Sequence, residues 1–123
     1  MKTDARVKYT KMVLKKALLE LMQHKPVNKI TVKEICERAE LNRATFYAHY
    51  SDCFDLLESI EEELFGQFER SMQSYIRSFD IAGLVDGLYR IVQENETVCR
   101  VLLFGRHSAA LIHRMIDYAH DLS

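Results

Sequence analysis

The chain has 123 residues, 48% of them hydrophobic and 28% charged, with a net charge of −1. These are the proportions of one soluble globular protein able to bury a core without staples. No apolar run approaches the roughly 20 residues of a membrane span, and the opening MKTDARVKYTK lacks the apolar segment of a secretory signal. Cys36, Cys53 and Cys99 form no CxxC pair, which fits reduced thiols in a cytoplasmic protein better than a disulfide framework. The near-neutral total hides an asymmetry. Residues 1–50 carry 11 Lys and Arg against 5 Asp and Glu, and residues 51–123 carry 6 against 13. That pattern suggests one end facing a polyanion, or else two solvated faces that merely differ in sign.

Helical periodicity dominates, and strand signals are weak. Val13, Leu14, Ala17, Leu18 and Leu21 form one apolar stripe of a first helix. It should end near Gln23–Lys25, because Pro26 disfavours helical geometry in the residue before it. Thr31 with Glu34 reads as a capping box opening a second short helix, whose apolar side is Ile35, Cys36 and Ala39. The helix breaks around Glu40–Leu41, and Asn42 is a suitable N-cap for a third helix from Arg43 to about Tyr50. Ser51 or Asp52 caps a fourth, with a stripe of Phe54, Leu57, Ile60, Leu64, Phe68 and Met72 running to the upper seventies. Asp80 starts a further amphipathic segment through Val92. Asn95 caps the next, ending at Gly105, and Ser108 caps a last one. The predicted architecture is all-α.

Two short helices joined by a tight turn and set on a longer first helix are the helix-turn-helix arrangement. The segment LNRATFYAHY, residues 41–50, suits its second member. Phe46 and Tyr50 can pack inward while the other residues face out. Ala44 is small enough for close approach to a base edge or a thymine methyl. Arg43 offers a bidentate fork to guanine, or pairs with a phosphate. Tyr47 and His49 can hydrogen-bond phosphates through their polar tips.

The stretch TVKEICERAELNRATFYAHYSDCFDLLESI resembles the N-terminal DNA-binding domain of TetR-family transcriptional regulators. The resemblance covers about residues 8–60. Its most specific part is T-F-Y-x-H-Y-x-x-x-x-x-L-L, Thr45 to Leu57. It implies three N-terminal helices for DNA, residues 1–50, followed by a helical ligand and dimerisation domain, residues 51–123. DNA contacts carry over to Thr31, Lys33, Arg43, Ala44, Thr45, Tyr47 and His49. The implied partners are double-stranded DNA with a palindromic operator, a second copy of the chain in a homodimer, and a small-molecule effector of unknown identity. No membrane partner, metal or cofactor is implied.

This sequence departs from the family pattern in three places. Glu40 stands where the family usually has Gly; a positive φ there costs on the order of 1 kcal/mol. Cys53, beside Asp52, stands where a Lys usually reaches a phosphate, so Cys53→Lys should tighten DNA binding. Family members usually continue for two or more helices past the position of Ser123, so the chain is expected to be a shortened form or to dimerise differently.

Other groups have plainer readings. Lys2, Lys8, Lys11, Lys15 and Lys16 are a solvated helix face, with one or two in reach of phosphate. His113, Asp117 and His120 share a face at a spacing that could hold a metal, but an exposed polar face accounts for them. Cys53 near a helix start could have a lowered pKa. Phe65, Phe68, Met72, Tyr75, Ile76, Tyr89, Val92, Val101, Phe104 and Met115 would line a bundle, either around a ligand cavity or as a filled core. The function this supports is a sequence-specific transcriptional regulator, a repressor released by an effector. A co-activator or adaptor that keeps the fold is the alternative. The sequence has no nucleophile elbow, phosphate-cradling Gly loop or paired acids in a defined frame, so no catalysis is expected.

Overall fold

The computed structural model describes residues 2–105 and 109–122, without the side chains of Lys2 and Thr3. The described residues are helical and contain no strand. In chain order they form α1 (Lys2–Met22), a single 3-10 turn (Val27–Lys29), α2 (Val32–Ala39), α3 (Arg43–Tyr47), α4 (Cys53–Ser78), α5 (Ile81–Glu94), α6 (Glu96–Leu102) and α7 (Ala109–Leu122). The chain divides into two compact units, Met1–Ile60 and Glu61–Ser123, with α4 contributing to both.

In the N-terminal unit the apolar stripe of α1 becomes core. Leu14, Ala17, Leu18 and Leu21 are buried, joined by Leu19 and Thr10. Burying one such leucine stabilises by roughly 1.5–3 kcal/mol, so this stripe is what holds α1 on α2. Two ion pairs border it, Arg38 to Glu20 at 2.8 Å and Lys25 to Glu34. Both are partly solvated, and such pairs contribute about 0–1 kcal/mol each. The Glu34 carboxyl is held below the ordinary carboxylate range, chiefly by its hydrogen bond from Lys25.

The start of α4 differs from its sequence pattern. Cys53, Leu56, Ile60 and Leu64 are buried, whereas Phe54 is 54% exposed and Leu57 only half-buried. The buried face is therefore offset by one position from the Phe54–Leu57 line. Ile60 and Leu64 belong to both patterns, so periodicity alone could not separate them. The helix is capped by Asp52, whose Oδ1 accepts from the Asp55 amide at 2.8 Å. Asp55 in turn accepts from the Ser51 amide at 2.9 Å.

In the C-terminal unit, Leu64, Phe65, Val98, Cys99, Leu102 and Leu111 form the buried set. Phe65, Phe68 and Tyr118 make a ring cluster with centroids 5.6–6.1 Å apart. The Arg114 guanidinium lies 3.9 Å over the Phe65 ring and also pairs with Glu62. Asp80 caps α5 as the sequence predicts, its Oδ1 accepting from Gly83 at 3.0 Å. Asn95 does not cap α6 with its side chain. Its amide instead donates to Gln67 Oε1 and to the Ile91 carbonyl, both at 2.9 Å. Helix α6 ends at Leu102, three residues before Gly105. Several side chains expected in a bundle interior face out: Tyr89 is 63% and Phe104 75% exposed, with Ile76 and Val92 also exposed. The predicted cap Ser108 lies outside the described residues. His113, Asp117 and His120 are all exposed on α7.

Candidate nucleic-acid interface

The interface candidate is built on α2, α3 and the turn between them. The capping box at α2 is complete: the Glu34 amide donates to Thr31 Oγ1 at 3.1 Å, and the Thr31 amide donates to Glu34 Oε1 at 3.1 Å. The turn is left-handed at Glu40, with φ 59° and ψ 42°. This conformation lets the Leu41 amide reach the Cys36 carbonyl at 3.0 Å, the six-to-one bond of a Schellman close. The position therefore takes the geometry that favours glycine although its residue is Glu, at a cost of roughly 1–2 kcal/mol.

Asn42 then starts α3. Its Oδ1 accepts from the Thr45 amide at 2.8 Å and from the Thr45 hydroxyl at 2.9 Å. The regular helix stops at Tyr47, earlier than the expected Tyr50, and the chain continues as a turn in which Tyr50 still donates to the Phe46 carbonyl at 2.9 Å. Tyr50 keeps its inward place by this route. Phe46 is fully buried and is the anchor of the helix, its ring 5.4 Å from Tyr47 and 5.9 Å from Tyr50.

The sequence-selected residues then fall as follows. Arg43, Ala44 and Tyr47 are exposed, Tyr47 by 54%, and their spacing puts them on one side of α3. Thr31 and Lys33 are exposed on the first turn of α2. Thr45 is half-buried, and its hydroxyl proton is committed to the Asn42 cap, so outward it can only accept. Thr31 is tied similarly, its hydroxyl donating to Glu34 at 3.2 Å. His49 is half-buried, with its ring 6.3 Å from that of Tyr50. Lys8, Lys11 and Lys16 are exposed on α1 and Lys15 is half-buried. The structure thus brings together Arg43, Ala44 and Tyr47 exposed on α3, and Thr31 with Lys33 exposed at the start of α2.

Cys53 corrects two expectations. It is only 6% exposed, and its thiol donates to the Ile30 carbonyl at 3.5 Å. It faces the core of the unit, not a phosphate. Burial, with a smaller contribution from the Asp52 charge, pushes its pKa up, opposite to the lowering that a place near a helix start could give. Cys36 and Cys99 are buried too, and burial raises their pKa values. What the sequence reading missed is the outward turn of Phe54, immediately after the candidate interface. The competing stripe through Cys53 and Leu56 was its only signal.

Among the described residues no helix is long and apolar enough to cross a membrane. The chain is 27% identical over 107 residues to an uncharacterized HTH-type transcriptional regulator, YxbF, of Bacillus subtilis (strain 168); the match covers 87% of this chain and 26% of that protein. The chain therefore spans about a quarter of the length of that relative. No solved structure matches the chain. Residues 14–60 match the family model for bacterial regulatory proteins of the tetR family. That segment runs from the core of α1 through the capping box, the left-handed turn and the Phe46 anchor to the first turns of α4. By it the N-terminal part of the chain is similar to the tetR family of bacterial regulatory proteins.

Proposed function

We propose that the chain is a sequence-specific, DNA-binding transcriptional regulator of the cytoplasm, with residues 1–50 as the reader and residues 51–123 as part of a dimerising and effector-binding domain. The observation that carries the reading is α3 itself. Five residues of helix bury Phe46 completely and leave Arg43, Ala44 and Tyr47 exposed together. A helix without a readout role gains nothing by exposing a ring, a guanidinium and a small residue side by side. In this reading Arg43 forks onto a guanine and Ala44 permits close approach. Tyr47 and His49 reach phosphates, Thr45 accepts from a base or sugar donor, and Lys33 with Thr31 fixes register on the backbone. A homodimer would place two such helices in successive major grooves of a palindromic operator. The direction of control is repression, relieved by a small effector.

A second reading draws support from the C-terminal unit. Ile81, Val85, Tyr89 and Val92 are exposed along one side of α5, a stripe that suits a protein partner better than solvent. It would make the chain a co-activator or adaptor on the same fold.

Selection of duplexes from a random pool tests both. The expected result is an enriched palindrome. Arg43→Ala should cost about 1–3 kcal/mol and relax one position, while Lys33→Ala should weaken all sequences alike. An enriched motif that neither Arg43→Ala nor Tyr47→Ala alters would sink the residue roles. No enriched motif, even with a fused dimerisation domain, would favour the adaptor.

A further inference from the structure

Gln67, Arg70, Ser71 and Ser74 follow each other at i, i+3, i+4 and i+7 on α4, and Gly87, Arg90, Ile91 and Glu94 repeat that spacing on α5. Such spacing puts each set on one face of its helix. In the C-terminal unit the two faces meet in a groove of about 290 Å³, near the lower end of the volumes that hold small molecules. Gly87 opens the floor: a Cβ there would stand 3.2 Å from Ser71 Oγ. Gln67 is oriented by its neighbour, because its Oε1 accepts from Asn95 at 2.9 Å. That leaves the Gln67 Nε2 amide group as the side chain's remaining donor.

The charges are unevenly satisfied. In the same unit Arg100 pairs with Glu96 and Arg114 with Glu62. Among the described residues, Arg70 and Arg90 have no carboxylate at ion-pair distance. The groove thus offers two guanidinium forks, two hydroxyls and an amide donor against a single carboxylate, Glu94. Guanidinium groups match planar and tetrahedral oxyanions through paired hydrogen bonds, and a carboxylate at the same site accepts from ligand hydroxyls.

The geometry points to a binding site for a small hydroxylated organic oxyanion, a phosphate monoester or a carboxylate carried on a polyol. Arg70 and Arg90 hold the anion, Ser71, Ser74 and Gln67 complete its donor shell, and Glu94 takes the hydroxyl end. This rests on the effector reading above and gives that effector a chemical class.

The test titrates the full chain with glycerol 3-phosphate, gluconate and inorganic phosphate, following the side-chain Nε–H signals of Arg70, Arg90 and, as a control, Arg100 by NMR. Saturable shifts of Arg70 and Arg90 are expected with glycerol 3-phosphate or gluconate, and whichever binds tighter identifies the anion. Arg70→Gln and Arg90→Gln should each weaken binding about tenfold, Arg100→Gln should leave it unchanged, and Gly87→Ala should weaken it by filling the floor. Saturation by none of the probes, or wild-type affinity in both Arg70 and Arg90 variants that retain their helical circular dichroism, would overturn the site. Phosphate binding as tightly as glycerol 3-phosphate would overturn the hydroxylated class. Operator affinity is read separately. Probe binding that leaves it unchanged refutes effector release but keeps the site. Release by another small molecule, unaltered in the Arg variants, refutes this groove as the effector site but keeps effector release.

Discussion

Replacing Glu40 by Gly should stabilise the N-terminal unit. Glu40 sits at φ 59° and ψ 42°, where a Cβ costs roughly 1–2 kcal/mol. Glycine removes that cost but gives the unfolded chain more freedom, which returns roughly 0.5–1 kcal/mol. The side chain is exposed and makes no cap bond of its own, so no packing is lost. Its negative charge at the C-terminal end of α2 is mildly unfavourable, by about 0.3 kcal/mol. The net gain is about 1 kcal/mol, which for a unit of this size raises Tm by about 4–8 °C. Glu40→Ala separates the contributions, since it removes the charge and keeps the Cβ; it should gain only a few tenths of a kcal/mol. Thermal melts of the three full-length proteins, with hydrogen exchange at the Leu41 amide, make the measurement. That amide bonds to the Cys36 carbonyl through this turn, and its exchange should slow in the Gly variant alone. A Gly variant no more stable than the Ala variant would show that the left-handed turn carries no strain, and the argument would fail.

Cys53→Lys should destabilise by about 2–4 kcal/mol, because the site is nearly closed to solvent and a buried ammonium there has no partner; a melt at wild-type temperature would show the side chain escapes to the surface. Asn42→Ala should cost about 1 kcal/mol, since it releases both the Thr45 amide and the Thr45 hydroxyl, and it should also disturb DNA binding by freeing that hydroxyl. A urea titration that places the variant at wild-type stability would contradict it. The Glu62 carboxyl is held below the ordinary range, first by its hydrogen bond from Arg114. A lowered folded-state pKa means stability present above the unfolded carboxylate pKa and lost as pH falls through the folded one. The C-terminal unit should therefore weaken on acidification through that window. Glu62→Gln should flatten this part of the profile slightly, because the pair is half-exposed and screened; an unchanged acid limb would remove the pair from the account.

Much of the fold was legible because it is local. A capping box, an N-cap Asn and an apolar stripe each act over three or four residues, so Thr31, Glu34, Asn42 and the Leu14–Leu21 stripe could be placed from the order of residues alone. The sequence also limited the outward residues of α3, because a short helix with Phe46 and Tyr50 turned inward has few faces to offer. It determined the all-helical class, the family resemblance and the charge surplus at the N-terminal end.

Tertiary structure decided what depends on competition between equal local signals. Two apolar lines overlapped at the start of α4, and burial in the core selected the line with Cys53 and Leu56, turning Phe54 to solvent. Asn95 had the chemistry of a cap, but Gln67 on another helix claimed its amide. Periodicity placed Tyr89 and Phe104 in an interior that the described helices do not close over them. The polar spacing of Gln67, Arg70, Ser71 and Ser74 was visible in the chain. That it faces an equal spacing on α5 across a glycine floor was not, because only the fold sets one helix face against another.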